Sequence, residues 1–374
     1  MKPLSFVVIG SGWRAMFFVR IAKRYPELFC LRYLLCRSEE KAERIRKEQD
    51  IPTTTSVKDC AAAAPDFVVV AVDKASKFAV TKEWLERGYV VLTETPAAGT
   101  VEELTELWEL VKKGARLQVA EQYIRYPFIQ AGLRTIEEGL LGDPYGVTLS
   151  LAHDYHAVSL IRHMLRFQVA SLETMSTGSG QGHSKGTAPK FPTVKMIGRQ
   201  YTFPVTETDS RLGPITDGRV KERSRNRITM EWSNGKVAFY DFDGVQYHSF
   251  IRTRHIQVAG MRGEWSDTLI HYLDGTGFPR QKQLKPELSP AYAMLETEEL
   301  RNMGNILENM VKMEEWQDEY AIATLLYDMR KYLQTGKEPY PLAEALEDAY
   351  ISLLMAESLK HPGEPIESTP QPWH

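Results

Sequence analysis

LSFVVIGSGWRA, residues 4–15, is a continuous apolar, β-branched run that ends abruptly in glycine. Such a run fits a strand buried on both faces, because a half-exposed strand alternates apolar with polar side chains. The residues after it take helical spacing and stop at Pro26. Gly10-Ser11-Gly12-Trp13-Arg14-Ala15 is therefore G-x-G-x-x-A in a strand–turn–helix setting. Gly10 permits the tight turn, Gly12 lets the backbone approach a pyrophosphate, and Ala15 allows close helix–strand packing. The helix N-terminus adds N–H groups and the positive end of a dipole. Alone the motif is weak. Its weight comes from what surrounds it.

CLRYLLC (30–36) is a second strand, and SEEKAERIRKEQ (38–49) a second helix with Ser38 as N-cap. DFVVVAV (66–72) and SKFAVTKEWLERG (76–88) give a third strand and a helix closed by Gly88. YVVLTE (89–94), TVEELTELWELVKKG (100–114) and RLQVAEQY (116–123) continue the alternation. The fold class expected is α/β, with an N-terminal Rossmann doubly wound, mostly parallel sheet over residues 1–122. After Tyr123 the rhythm changes. PFIQAGLRTIEEGLLG (127–142) is a helix, YGVTLSLAHDYH (145–156) a strand and AVSLIRHMLRFQ (157–168) a helix. Strands dominate from about 195 to 274, with Asn234-Gly235 as a type I′ hairpin signal, and helical runs return near 297–336 and 342–359. Residues 123–374 are thus expected to form an α+β domain with an open, mostly antiparallel sheet. STGSGQGHSKGTAPK (176–190) lacks periodicity and fits a mobile surface loop. Within it Gly178-Ser179-Gly180 lacks the spacing and context of a nucleophile elbow.

The 374 residues are enough for about two domains with a core each. A net charge of −3, with basic residues interleaved among acidic ones, gives no reason to expect nucleic acid or an anionic membrane as partner. No window approaches the ~20 apolar residues of a membrane helix. Cys30, Cys36 and Cys60 are odd in number and show no metal-ligand spacing, so they suit a reducing cytoplasm. PLSFVVIG (3–10) is too brief for a signal-peptide core.

The second strand ends Leu35-Cys36-Arg37-Ser38. NAD-preferring sites usually place an acid there, about 20 residues past the glycines. Here Arg37 and the Ser38 hydroxyl could cradle a 2′-phosphate, which leans the expected NAD(P) cofactor toward NADP; a solvent-facing Arg37 is the competing reading.

Taken in order, VVIGSGWRA, CRSEEKAERI, ERGYVVLTETPAA, EQYIRYP (121–127), EEGLLGDPYGV and the tail YLQTGKEPYPLAEALEDAYISLLMAESLKHPGEPI resemble the Gfo/Idh/MocA oxidoreductases over nearly the whole chain. That family includes glucose–fructose oxidoreductases and inositol dehydrogenases. The resemblance implies an NAD(P)-dependent enzyme that moves hydride to or from a sugar, cyclitol or related polyol. It also implies a homodimer or homotetramer built through the second-domain sheet. In such enzymes a Lys in E-K-P polarises the reacting oxygen, and a His in D-x-x-x-H-x-x-D serves as acid–base. This chain has Thr95 at the Lys position and His156 at the His position, with Ala152 and Ser159 replacing the flanking acids. A hydroxyl cannot supply the charge of an ammonium, an effect often worth several kcal/mol. Lys77, at the start of the helix after strand three, is either the substitute cation or a solvated side chain. Glu94 is placed to cap the next helix or to contact the cofactor ribose. Tyr123 is placed to bind substrate or to pack between domains, and Arg125 to hold an anionic group or face solvent. Asp154 shares a face with His156 only while the strand lasts, and would then orient the imidazole or bind substrate. His163 is expected to be structural. Two other readings compete: a glycoside-cleaving enzyme using transient cofactor oxidation and elimination, and a non-catalytic nucleotide-binding regulatory protein.

Overall fold

A computed structural model of the chain describes residues 2–167, 191–210, 213–247, 249, 251–286, 288, 295 and 310–374. The segment 176–190, with Gly178-Ser179-Gly180, and the front of the helical run at 297–336 lie outside the described residues.

The first sheet has six parallel strands: β1 (Leu4–Ile9), β2 (Phe29–Leu35), β3 (Thr53–Thr54), β4 (Phe67–Val70), β5 (Val91–Thr93) and β6 (Leu117–Val119). Their order, β3-β2-β1-β4-β5-β6, reverses direction at β1, as in dinucleotide-binding sheets. Helices α1 (Ala15–Arg24), α2 (Glu39–Gln49), α3 (Val57–Ala62), α4 (Lys74–Glu86) and α5 (Val101–Lys112) connect them. The pair β3 and α3 has no counterpart in the sequence reading, because two residues of strand carry no periodicity. Local chemistry sets the helix starts. Ser38 accepts from the Lys41 amide, and Thr100 forms a capping box with Glu103.

Every β1 side chain is buried, as its apolar run requires. Val7 and Ile9 face α4 and α5, whereas Phe6 and Val8 face α1 and α2. The second of these faces is completed from far along the chain. Ile322, Leu325, Leu326 and Met329 of α8 (Met310–Thr335) join the same apolar cluster.

A short 3-10 turn, Tyr123–Arg125, leads from β6 into α6 (Pro127–Glu137), β7 (Pro144–Ser150) and α7 (Asp154–Met164). The second sheet adds β8 (Val194–Thr206), β11 (Val220–Trp232), β12 (Val237–Asp243), β13 (His255–Gly260), β14 (Gly263–Ser266), β15 (Leu269–Leu273), β16 (Pro279–Gln283) and β17 (Pro365–Glu367), while β9 (Asp209–Ser210) and β10 (Gly213–Pro214) pair separately. Its nine strands run β16-β15-β14-β13-β7-β12-β11-β8-β17 and are antiparallel except where β12 meets β7. The β11–β12 hairpin is not type I′. Only Gly235 takes positive φ there (+85°), and Trp232 N–H bonds the Lys236 carbonyl, so a type I turn followed by a left-handed glycine closes it.

The expected strand 145–156 stops at Ser150, and the helix begins at Asp154. Asp154 itself adopts φ +37° and is exposed, so it shares no strand face with His156. Helix α7 is anchored to α9 (Leu342–Lys360) by a fully buried guanidinium. Arg162 bonds Glu344 at 2.6 Å and Asp348 at 2.5 Å. Removing one partner of a buried ion pair strands the other charges in a dry interior. Arg162→Ala is expected to cost about 3–5 kcal/mol, read as a fall in the urea midpoint.

Candidate active site

The carboxyl ends of β1, β4 and β5 open toward the first turn of α7, and a cleft of about 570 Å³ lies between them. Trp13 and Arg14, which line it, directly follow the glycine loop. Gly10 has φ +107°, and a Cβ there would stand 2.4 Å from the Ala71 carbonyl oxygen, so only glycine lets β1 turn against the end of β4. At Gly12 a Cβ would meet nothing within 4 Å. Open space over position 12 and an α1 N-terminus that no side chain caps fit a dinucleotide pyrophosphate.

Arg14 reaches from this loop across the cleft. Its Nε bonds Glu94 Oε1 at 2.8 Å, and its Nη1 lies 3.6 Å from Asp318 of α8. Burial opposes the charge, but Glu94 and Asp318 outweigh it and hold the guanidinium protonated. The buried Nη2 of Arg14 has no hydrogen-bond partner among the described residues. Asp318 also accepts from Tyr126 OH at 2.5 Å.

The turn after β5 presents Thr95 at the centre of the cleft. Lys77 Nζ donates to the Thr95 carbonyl oxygen at 2.7 Å. The Thr95 hydroxyl lies 3.4 Å from His156 Nε2. Lys77 is buried rather than solvated, and burial pulls its pKa down to about 8, against the opposing pull of Glu94. On its other side the imidazole meets a carboxyl that is 0% exposed: His156 Nδ1 is 2.8 Å from Glu121 Oε2. Glu121 Oε1 accepts the Tyr123 amide, also at 2.8 Å. Burial, reinforced by Arg14, pulls the His156 pKa down to about 3. Burial pushes Glu121 well above the usual carboxylate range, although the Tyr123 N–H and Arg14 favour its ionised form. The Tyr123 ring packs on the imidazole at 4.5 Å. His153 stands edge-on to it at 5.3 Å, with its Nδ1 2.6 Å from Tyr247 OH.

Of the residues singled out from sequence, Trp13, Arg14, Lys77, Glu94, Thr95, Tyr123 and His156 line this cleft. Gly10, Ser11, Gly12, Arg37, Ser38, Arg125 and Asp154 are not part of its lining. Arg125 bonds Asp328 at 2.9 Å and the Pro339 carbonyl at 2.7 Å, which spends its charge on fixing α8. Asp154 is turned out by the early helix start, with its amide 3.4 Å from Tyr240 OH. At the end of β2, Arg37 is 79% exposed and ion-paired with Asp73, while Ser38 caps α2. His163 Nδ1 bonds the Ser159 carbonyl at 2.8 Å within its own helix. The sequence reading passed over Glu121, Gln122, Asp318 and Tyr247 as site residues. Glu121 carried one signal, an acid closing an apolar strand; Asp318 and Tyr247 reach the cleft only through tertiary packing.

A reversing parallel sheet, an open glycine loop and a polar cleft at its carboxyl edge define a Rossmann-type dinucleotide-binding protein. Residues 4–121 match the model of the GFO_IDH_MocA family, described as an oxidoreductase family with an NAD-binding Rossmann fold. Similar solved structures extend the likeness over both domains. An oxidoreductase domain protein from Kribbella flavida superposes with a TM-score of 0.68 at 16% identity, covering 99% of this chain and 100% of that one. An oxidoreductase from Agrobacterium radiobacter, in complex with NAD+, L-tartaric acid and magnesium, gives 0.67 at 13% identity, covering 98% of each chain. The WlbA dehydrogenase from Chromobacterium violaceum, in complex with NADH and UDP-GlcNAcA, gives 0.63 at 13% identity, covering 99% of this chain and 97% of that one. At these identities the shared property is the fold. No curated protein matches the chain.

Lys77 sheds its proton as pH rises through about 8, well below the ordinary lysine value of ~10.4. An NMR titration of its Nζ is expected to show that midpoint. Glu94→Gln removes the carboxylate that favours the ammonium, so it should lower the midpoint further.

Proposed function

We propose that this chain is an NAD(P)-dependent oxidoreductase that interconverts an alcohol and a carbonyl on a sugar, cyclitol or related polyol. The observation that carries this reading is one connected set at the carboxyl edge of the nucleotide sheet: Lys77 on Thr95, and Thr95 on His156. The ligands of similar structures, L-tartaric acid and UDP-GlcNAcA beside NAD+ and NADH, are hydroxylated molecules and support the same class.

Gly10, Ser11, Gly12, Trp13 and Arg14 would hold the pyrophosphate and Glu94 the nicotinamide ribose. Arg37 and Ser38 would meet the adenosine ribose or its 2′-phosphate. The bound nicotinamide supplies the hydride acceptor or donor. The chain's own residues do the rest. Lys77, with one of its three N–H donors on Thr95, keeps two for the reacting oxygen and replaces the ammonium that position 95 lacks. The Thr95 hydroxyl and His156 carry the proton, and Tyr123 packs the imidazole in place. Acid–base residues contribute about 10²–10⁴-fold, and a fixed charge at a developing alkoxide about 10²–10³-fold.

Elimination from a glycoside is the second reading. His153, bonded to Tyr247 beside His156, offers a further acid–base group for a leaving oxygen. Ile197, Thr229 and Phe239 are in register on the outer face of the second sheet, where Ile197 and Phe239 are exposed, and they support assembly of copies through that face. The unpaired cysteines support a reducing compartment such as the cytoplasm.

Titrating NAD and NADP against tryptophan fluorescence, then following nicotinamide absorbance with sugars, cyclitols and sugar acids, tests this reading. Dinucleotide binding and net reduction are expected. Product release without net reduction would move the assignment to elimination, and binding without either would end both. Arg37→Ala should weaken NADP by about tenfold or more while leaving NAD unchanged, since a charge-assisted hydrogen bond contributes about 1.5–3 kcal/mol. Equal effects on the two cofactors would remove Arg37 from the 2′-phosphate. Lys77→Met should lower kcat about 10²–10³-fold at saturating substrate.

A further inference from the structure

Thr95 Oγ1, His156 Nε2, His156 Nδ1 and Glu121 Oε2 form one line, with contacts of 3.4 and 2.8 Å, that begins in the cleft and ends on a carboxyl sealed from solvent. We propose that the proton of the reacting alcohol comes to rest on Glu121, with the Thr95 hydroxyl as the group that touches substrate and His156 as a relay between them. The inference rests on the oxidoreductase reading of the same cleft, but it concerns which atom holds the proton.

In the oxidation direction Glu121 starts as carboxylate and His156 carries its proton on Nδ1. The substrate O–H bond breaks and its proton passes to Thr95 Oγ1. The proton of Thr95 passes to His156 Nε2, and the Nδ1 proton passes to Glu121 Oε2. The electron pair left on the substrate oxygen closes the carbonyl as the C–H pair leaves as hydride to the nicotinamide dinucleotide. Glu121 ends as a neutral acid and His156 as the Nε2–H tautomer. Reduction runs the same path backwards.

Three observations favour this route over a free imidazolium. First, His156 is itself buried, so a charge on the ring gains little from water. Second, the charged groups around the ring divide. Arg14 from the glycine loop opposes a second cation, while Glu94 from the β5 turn, Asp318 from α8 and Asp154 from its own helix favour one. The net pull on the ring is still downward, to about 3. The rings of His153, Tyr123 and Tyr155 also face it. Third, Glu121 feels the opposite pull. Burial and the Glu94 charge raise it above ordinary carboxylates, and Arg14 with the Tyr123 and Ile124 amides only tempers this. A proton offered to the pair is better held as COOH than as imidazolium. The main-chain bond from Lys77 to the Thr95 carbonyl fixes the residue whose hydroxyl must aim at Nε2. A 3.4 Å contact is long in a free enzyme and is expected to shorten when substrate fills the cleft.

The test uses the full-length protein labelled with ¹⁵N-histidine, with His156→Gln assigning the resonances. Above the transition, the ring should carry its proton on Nδ1 and a bare Nε2. As pH falls through a midpoint above the ordinary carboxylate value of ~4.3, the two nitrogens should exchange roles without both becoming protonated. Glu121→Gln should lock the Nε2–H tautomer at every pH. The Tyr123 amide claims the side-chain oxygen at that position, which turns the new NH₂ toward Nδ1. In turnover the same variant should lose about 10²–10³-fold in kcat with KM kept, and the acid limb of the oxidation pH profile should disappear. Glu121→Asp, which still holds a proton, should restore that limb. A ring with both nitrogens protonated in the transition, or a Glu121→Gln protein with wild-type tautomer and pH limb, would overturn the relay. Failure of every alcohol to reduce NAD(P) while the tautomers exchange as described would instead overturn the oxidoreductase reading and leave the relay standing.

Discussion

The hydrogen bond between Glu121 and His156 Nδ1 joins the carboxyl end of β6 to the first turn of α7, and with it the two sheets of the molecule. Neither residue is stable there alone. A carboxyl at 0% exposure has no water to satisfy it, and an imidazole at 6% exposure needs both ring nitrogens accounted for. Each therefore fixes the other's place. The groups around that pair are held in turn: Tyr123 packs at a tilt on the ring, Thr95 is held opposite Nε2 by Lys77, and Arg14 is paired with Glu94 and Asp318.

On the proposed reading, position 95 shares two roles between two side chains. Lys77 of α4 is bound to the main chain of Thr95, so a cation and a hydroxyl meet at one peptide. Burial pulls the Lys77 pKa down to about 8, so the charge at that point depends on pH.

Much of the fold was legible because β1 and its glycine loop carry unambiguous local chemistry: an apolar run, a glycine that must turn against Ala71, and capped helices in strict alternation. The resemblance to the Gfo/Idh/MocA enzymes pointed to His156 and Thr95, and the helix start after the third expected strand pointed to Lys77; all three line one cleft. Local rules failed where the answer lay in tertiary packing. Arg125 looks free in sequence and is consumed by Asp328 and Pro339, more than two hundred residues away. Asp154 was given a strand that ends four residues earlier. Glu121 was hidden by its position, since an acid closing a strand more often faces water than an imidazole.

Helix α8 has a consequence for how the molecule is made. One face of the N-terminal sheet is finished by Ile322, Leu325, Leu326 and Met329, residues synthesised long after the strands they cover. At about 5–20 residues per second, the interval between residues 122 and 330 lasts roughly 10–40 s. For that time the nascent nucleotide domain leaves the ribosome with apolar surface that only the last quarter of its own chain can close.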